Sequence, residues 1–361
     1  MSLALFFTDK SAFRDDFRNA IDQAILYIAM AIRLFNTVCL PRLHQLYRCL
    51  MTQVHFRQTI PEDYEDVLSI RKHLNGGFDY LPGEYHDLLK HRTGVAGFIG
   101  NEMIAFMLVC VIDDGDGVVM QAARIREAYA SKRIFSQMKR YAFKLCGKGV
   151  YRSVMCTTKP AYLQLLQQKG ARIVFQRNVA IFKTMKPALK QTGALFHDPL
   201  ADMRVMTPNI LERIFISEEA KERLFPENRI VIECVPYQLV ISNIRQIFNS
   251  KGKLLASTSG DIDTDLNSSN IPKLISATTS TPCEAGTVVY LDFFGEINDR
   301  ALVSAHILEQ LTCLQDTCNS NVFMYVTYGL EQPIGAVYQV LSRYSWTMIN
   351  SEIISGIEET I

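Results

Sequence analysis

Four cations, Arg124, Arg126, Lys132 and Arg133, crowd into one short stretch of the chain. They lie within MQAARIREAYASKRIFSQM, residues 120–138, where a strand-like segment, GVVMQAARI, passes through a basic turn into a helix. The first N–H groups of a helix lack intrahelical partners and carry the positive end of its dipole. Cations gathered there suit a phosphate or pyrophosphate. Such cradles ordinarily use glycine, because the backbone must come close to the anion. Here Ala130, Ser131, Lys132 and Arg133 fill the turn, and glycine is absent from it. Two readings stand open: a cradle in which small Ser131 and the cations replace glycine, and a solvated basic helix start. Glu127 opens the helical stretch, where its charge favours the dipole.

The elements that would position these groups follow from periodicity. VHFRQ reads as a short strand. Thr59 can cap, and Pro61 can begin, a helix over PEDYEDVLSIRKHL, which Gly76 and Gly77 end. GEYHDLLKH reads as a second helix; His86 on it is a surface histidine or a base. EMIAFMLVCVID and VVMQAARI flank Asp113-Asp114-Gly115-Asp116-Gly117, a hairpin signal. EAYASKRIFSQMKRYAFKLCGKG reads as a helix, VYRSVMCTT as a strand, PAYLQLLQQKG as a helix and ARIVFQRNVAIFKTM as a strand. The pattern predicts an α+β fold with a mixed sheet. Pro187, Gly193 and Pro199 mark a linker over 187–206. A second unit over 207–361 then repeats the strand–helix–strand–helix rhythm, as TVVYLDFFG, ALVSAHILEQLTCLQ, NVFMYVTYG and EQPIGAVYQVLSRY. RIVIECVPY and QLVISNIRQIF precede that series, and the polar residues 257–280 read as a variable excursion. His306 reads as a helix residue, and Trp346 as a packing anchor.

The formal net charge is +1, from 38 basic and 37 acidic residues, so a general nucleic-acid footprint is unsupported. The nine cysteines form no CxxC pair and no metal-ligand spacing, and several sit in apolar runs; reduced thiols in a cytoplasmic setting are expected. Cys156 lies in a strand without a neighbouring base and reads as core. Residues 1–52 read as a helical extension. Its apolar run, AILYIAMAI, is too short to span a bilayer, and no integral membrane segment is expected.

Residues 54–185, within an expected domain over 53–186, resemble the GCN5-related N-acetyltransferase (GNAT) superfamily. Within it they resemble the group of histidine N-acetyltransferases and probable N-acetyltransferases. HFRQTIPEDYEDVLSI, NGGFDYLPGEYHDLL, the DDGDG hairpin and YLQLLQQKGARIVFQR carry the likeness, and LERIF, LFPENRIVIECVPY and SNIRQIF extend it into the second unit. The resemblance implies a GNAT fold followed by a diverged GNAT-like unit, with acetyl-CoA as co-substrate and a small amine, free histidine or another amino acid, as acceptor. It assigns the pyrophosphate to Ile125, Arg126, Ser131, Lys132, Arg133 and Ile134. It makes Tyr162 the candidate acid toward the thiolate and gives Glu127 a possible part in deprotonating the amine. Asp79 and Tyr80 would border the acceptor, with Glu233, Pro236 and Tyr237 completing its pocket. The competing reading is a catalytically inactive acetyltransferase-like protein with a binding or structural role.

Overall fold

The computed structural model describes residues 23–40, 54–130, 133–147, 149–185, 203–249, 252–257, 270–312, 314 and 321–360. Most of the expected 1–52 extension and of the 187–206 linker lies outside these residues. The chain divides into two compact units, residues 1–55 with 98–102, and residues 56–97 with 103–361. In the first, residues 23–34 are helical and run into a π turn, Phe35–Cys39, with Ile25, Leu26, Ile28 and Leu34 exposed. Among the described residues no helix is long and apolar enough to cross a membrane.

The second unit carries nearly all of the remaining structure. Its earlier part runs β1 (His55–Gln58), α1 (Tyr64–Ser69), α2 (Leu81–Leu88), β2 (Thr93–Ile99), β3 (Glu102–Ile112), β4 (Gly117–Ile125), α3 (Ile134–Cys146), β5 (Arg152–Thr157), α4 (Pro160–Gln168) and β6 (Arg172–Met185). The later part begins with β7 (Met203–Val205), α5 (Pro208–Ile216), α6 (Glu218–Leu224), β8 (Arg229–Ile232), β9 (Val235–Gln238) and α7 (Ile241–Asn249). It continues through β10 (Lys253–Ser257), β11 (Leu274–Cys283), β12 (Gly286–Gly295), α8 (Arg300–Thr312), β13 (Asn321–Gly329), α9 (Gly335–Arg343) and β14 (Thr347–Thr360).

Among the described residues, twelve strands form one mixed sheet in the order β1-β2-β3-β4-β5-β14-β6-β13-β12-β11-β10-β7, and β8 and β9 form a separate hairpin. Each stretch therefore lends a strand to the other. β14, from the end of the chain, lies antiparallel between β5 and β6, and β6 lies antiparallel beside β13. On either side of this centre stands a parallel pair, β4 with β5 and β12 with β13. The 53–186 and 207–361 stretches thus share one continuous sheet.

Three details differ from the periodicity. The helix expected from Pro61 to Leu74 is a single 3-10 turn, Pro61–Asp63, followed by α1, which ends at Ser69. Ile60 is the N-cap of the 3-10 turn, and Asp63, its third residue, reaches back to accept from the Ile60 N–H at 2.9 Å and pairs with Arg57 at 2.7 Å. Thr59 does not cap it, because it lies one residue before the N-cap position, with its N–H donating to the Gly94 carbonyl at 2.9 Å. Residues 274–280 are not an excursion but most of β11, with Ser276, Thr278 and Thr279 buried. Ser276 Oγ lies 2.7 Å from His306 Nδ1, which turns a polar run into an acceptable core strand. Residues 127–129 form an isolated 3-10 turn, and α3 begins only at Ile134.

A charged knot fixes β14 against β5. Glu358, 2% exposed at its side chain, accepts from Arg152 at 3.0 Å, from Arg229 at 3.1 Å and from Arg172. Asp113, at the tip of the β3–β4 hairpin, takes Arg152 at 3.1 Å and the Asn243 amide at 2.7 Å. Burial alone would raise the Glu358 carboxyl, but the hydrogen bonds from Arg172 and Arg152 outweigh it and hold it below the ordinary range.

Candidate functional site

β4 and β5 start as neighbours and then part. Their parallel ladder covers Gly117–Val119 against Arg152–Val154 and stops. Beyond it, residues 120–125 and 155–157 diverge, each still bonded to its outer neighbour, β3 or β14. The divergence has a local cause. Between the Phe106–Arg124 and Leu108–Gln121 register pairs, β4 carries one residue more than β3. That is a bulge, and Ala122 within it has φ 50°. A left-handed non-glycine residue costs roughly 1–2 kcal/mol and persists only where its surroundings impose it.

A cavity of about 530 Å³ opens at this fork. Its wall includes Met120, Gln121 and Ala122 of β4 and Cys156 of β5. Tyr80, Glu84 and Asp87 come from α2 and the residue before it, Lys90, His91 and Arg92 from the turn that follows α2. The later stretch contributes Glu233, Cys234, Tyr237 and Tyr290. Charges of both signs thus face a volume in the range of small-molecule sites.

Glu233 and Cys234 form the tip of the β8–β9 hairpin, since the ladder pairs Ile232 with Val235. Both residues are left-handed, with φ 50° and 61°. The tip is held between the forked strands. Gln121 Nε2 donates to the Glu233 carbonyl at 3.4 Å, and the Cys156 thiol donates to the Cys234 carbonyl at 3.0 Å. The Glu233 carboxylate, 25% exposed, lies 3.5 Å from Arg92 Nη2. Burial raises its pKa, Arg92 opposes, and the net direction is upward. Burial also pushes the Tyr80 phenol up to about 12 and raises Tyr237 further. The Cys156 thiol is pushed well up and Cys234 to about 12, so both stay protonated and are poor nucleophiles.

The start of α3 lies beyond the open end of β4. Arg133 precedes it with φ 55°, the conformation glycine would supply, and its side chain is exposed. Among the described residues no side chain caps the helix and no acidic residue lies in its first turn, an arrangement that suits an anion. Ile134, 1% exposed, anchors the first turn in the core. Ser131 and Lys132 lie outside the described residues.

The structure gathers only part of the sequence-derived set. Tyr80, Glu233 and Tyr237 line the cavity together. Asp79 stands behind them, holding the α2 start through the Leu81 N–H and pairing with buried Arg124 at 3.1 Å. Arg126 donates to the Met103 carbonyl at 3.2 Å, and Ile125 ends β4 half-buried. Of the four clustered cations, Arg124 and Arg126 therefore point back into the protein. Glu127 is exposed on its 3-10 turn, and Tyr162, 36% exposed, stands in the first turn of α4; neither lines the cavity. His86 stacks on Tyr64 at 5.2 Å. Arg92 and Gln121 were not singled out from the sequence, which gives no periodic or compositional sign of either.

Comparison with known proteins bears on this geometry. The sequence profile of the family described as histidine N-acetyltransferase, C-terminal, matches residues 199–328. A histidine N-acetyltransferase of Scomber australasicus is 21% identical over 207 residues, 53% of this chain and 61% of that protein. One from Xenopus tropicalis is 23% identical over 192 residues, 50% of this chain and 59% of that protein. The match thus spans about three fifths of the length of these curated relatives. Among solved structures, a tandem GNAT protein from the clavulanic acid biosynthesis pathway superposes with a TM-score of 0.50 at 10% identity, covering 85% of this chain and 98% of that one. This likeness concerns the fold: two GNAT-type units in one chain.

Proposed function

We propose, from the premise that this chain belongs to the GCN5-related N-acetyltransferase superfamily near the histidine N-acetyltransferase group, that it transfers an acetyl group from acetyl-CoA to the amine of a small molecule. The observation that carries this reading is the fork of β4 and β5, with its bulge at Ala122, opening onto a cavity of mixed charge.

The residues present fit the CoA part. Beyond Val119 the β4 edge leaves its ladder with β5, and an extended chain suits that edge. The α3 start, which no described side chain caps, offers N–H groups and dipole to a pyrophosphate, with Ile134 fixing the first turn and Arg133 beside it. Arg133 already holds the left-handed conformation. At that one position the loss of glycine removes closeness of approach and not the backbone conformation. The CoA thioester supplies an activated acyl carbonyl. Tyr80, Tyr237 and Glu233 define the acceptor space, and Arg92 balances the acidic wall. A free amino acid suits such a space, because its ammonium and carboxylate each meet an opposite charge. Placing the two reactants side by side accounts for much of the rate in this class of chemistry.

The test is calorimetric titration of the whole chain with acetyl-CoA, followed by thiol release with a panel of free amino acids including histidine. Saturable binding and an acceptor-dependent rate are expected. Arg133→Glu should weaken acetyl-CoA binding about tenfold or more, equivalent to roughly 1.4 kcal/mol. Absence of saturable binding at millimolar acetyl-CoA would leave the catalytically inactive reading.

A further inference from the structure

The β8–β9 hairpin tip is an unusual place for the sequence Glu-Cys. Two-residue turns with both central residues left-handed ordinarily take Asn-Gly, Asp-Gly or Gly-Gly. Glu233 and Cys234 adopt the conformation at φ 50° and 61° without either residue being suited to it. Both turn carbonyls are pinned by side chains of the forked strands, Gln121 from β4 and Cys156 from β5. The turn therefore sits across the fork, and its acidic side chain is in the cavity wall. An outlier maintained at such a place points to a task for the side chain it presents.

We propose that Glu233 is the general base of the transfer, receiving a proton from the acceptor ammonium at the mouth of the β4–β5 fork. The proposal rests on the acetyl-transfer reading above. The groups that face Glu233 are Arg92 and Glu84 from the α2 side, the phenols Tyr80, Tyr237 and Tyr290, the Cys234 thiol and Asp292 of β12. Arg92 favours the charged carboxylate, as does a hydrogen bond from the Thr279 side chain of β11. Glu84, Asp292 and burial favour its protonation, and burial leads. A carboxylate so placed accepts a proton more readily than one in water, which a base acting near neutral pH requires.

The step balances as follows. The acceptor ammonium gives one proton to the Glu233 carboxylate. The freed nitrogen lone pair forms the C–N bond at the thioester carbonyl carbon, the C–S bond breaks, and its electron pair leaves on sulfur. Of the two remaining protons on nitrogen, one stays in the amide and one ends on the CoA thiol. Glu233 then returns its proton to solvent. The unusual feature is the source of the base: it comes from the later stretch of the chain, whereas the fork comes from the earlier one.

The experiment compares the whole chain with its Glu233→Gln, Glu233→Asp and Glu233→Asn variants. Acetyl-CoA affinity is measured by calorimetry, kcat and KM across pH by thiol release with the best acceptor of the amino-acid panel, and melting by circular dichroism. Glu233→Gln should bind acetyl-CoA as the parent does, lose kcat about 100-fold or more, and lose the acidic limb of the kcat/KM profile. Glu233→Asp should recover part of kcat. Glu233→Asn, a residue at ease in the left-handed turn, should melt no lower than the parent yet be as inactive as Glu233→Gln. A Glu233→Gln variant with parental kcat and an intact acidic limb, or one altered in acceptor KM alone, would overturn the base assignment while acetyl transfer stands. If Glu233→Gln does not fold, a fully active Glu233→Asn variant would overturn it equally. A parent chain that binds no acetyl-CoA would overturn the acetyl-transfer reading and the base together.

Discussion

The two parallel strand pairs of the sheet have the same order and opposite outcomes. β4 and β5 stay together for the pairs Gly117–Arg152 to Val119–Val154 and then fork at a bulge. β12 and β13 stay together from Thr287–Val322 to Asp292–Thr327, without a register break. At the end of that longer ladder the Thr327 hydroxyl donates to buried Asp292, and just beyond it Gln332 Nε2 donates to the Gly295 carbonyl at 2.7 Å. The following helices differ too. No described side chain caps α3, whereas Asp299 caps α8 by accepting from the Ala301 and Leu302 N–H groups at 2.9 and 3.2 Å. A capping carboxylate satisfies the groups an anion would need and repels the anion itself. One repeat of the architecture forks at the end of its parallel ladder, and the other is closed there by its own side chains. The closed repeat still serves the open one, through β14 beside β5 and through Glu233 at the fork.

The largest way to break this contrast is to loosen β14. Glu358→Ala should cost about 3 kcal/mol, because it leaves buried Arg229 and part-buried Arg152 with Asp113 as their one remaining carboxylate among the described residues. Urea unfolding followed by circular dichroism measures it.

A pH effect should come from the closed repeat. His306 is buried on α8, and burial lowers its pKa to about 3 from an ordinary 6.5. Between those values the unfolded chain carries a proton that the folded chain does not. The stability is therefore full above about pH 6.5 and falls as the pH drops toward 3, by about 1.4 kcal/mol for each pH unit. Denaturant midpoints from pH 7 to pH 4.5 should show the slope, and His306→Asn should flatten it.

Smaller still, Asp299→Ala should cost about 1 kcal/mol of stability by removing the α8 cap, and acetyl-CoA affinity should be unchanged. Calorimetry beside thermal melting separates the two effects. The smallest change is at the bulge. Ala122→Gly should stabilise by about 0.5 kcal/mol, because relief of the left-handed strain is partly cancelled by added freedom in the unfolded chain.

Much of this contrast's framework is legible in the chain. GVVMQAARI bounds β4 residue for residue, DDGDG marks the β3–β4 tip, and Pro160 and Gly170 bracket α4. The features that make the site are not, and the reasons are physical. The Glu233–Cys234 turn carries none of the glycine or asparagine that signals such a tip, so RIVIECVPY reads as one extended run. Arg133 takes a glycine-like conformation without being glycine. β14 has no readable period, because its first half is exposed and its second half is buried by strands distant in sequence. The ladder length that separates fork from closure depends on pairing between strands, which a single chain's pattern does not display.

The most direct measurement is amide hydrogen exchange with and without saturating acetyl-CoA. Protection should rise in residues 120–125 of β4, in residues 155–157 of β5 and at the start of α3, while β12 and β13 exchange as before. Protection confined to β12, β13 and the start of α8 would contradict the account, as would acetyl-CoA binding that leaves the fork unchanged.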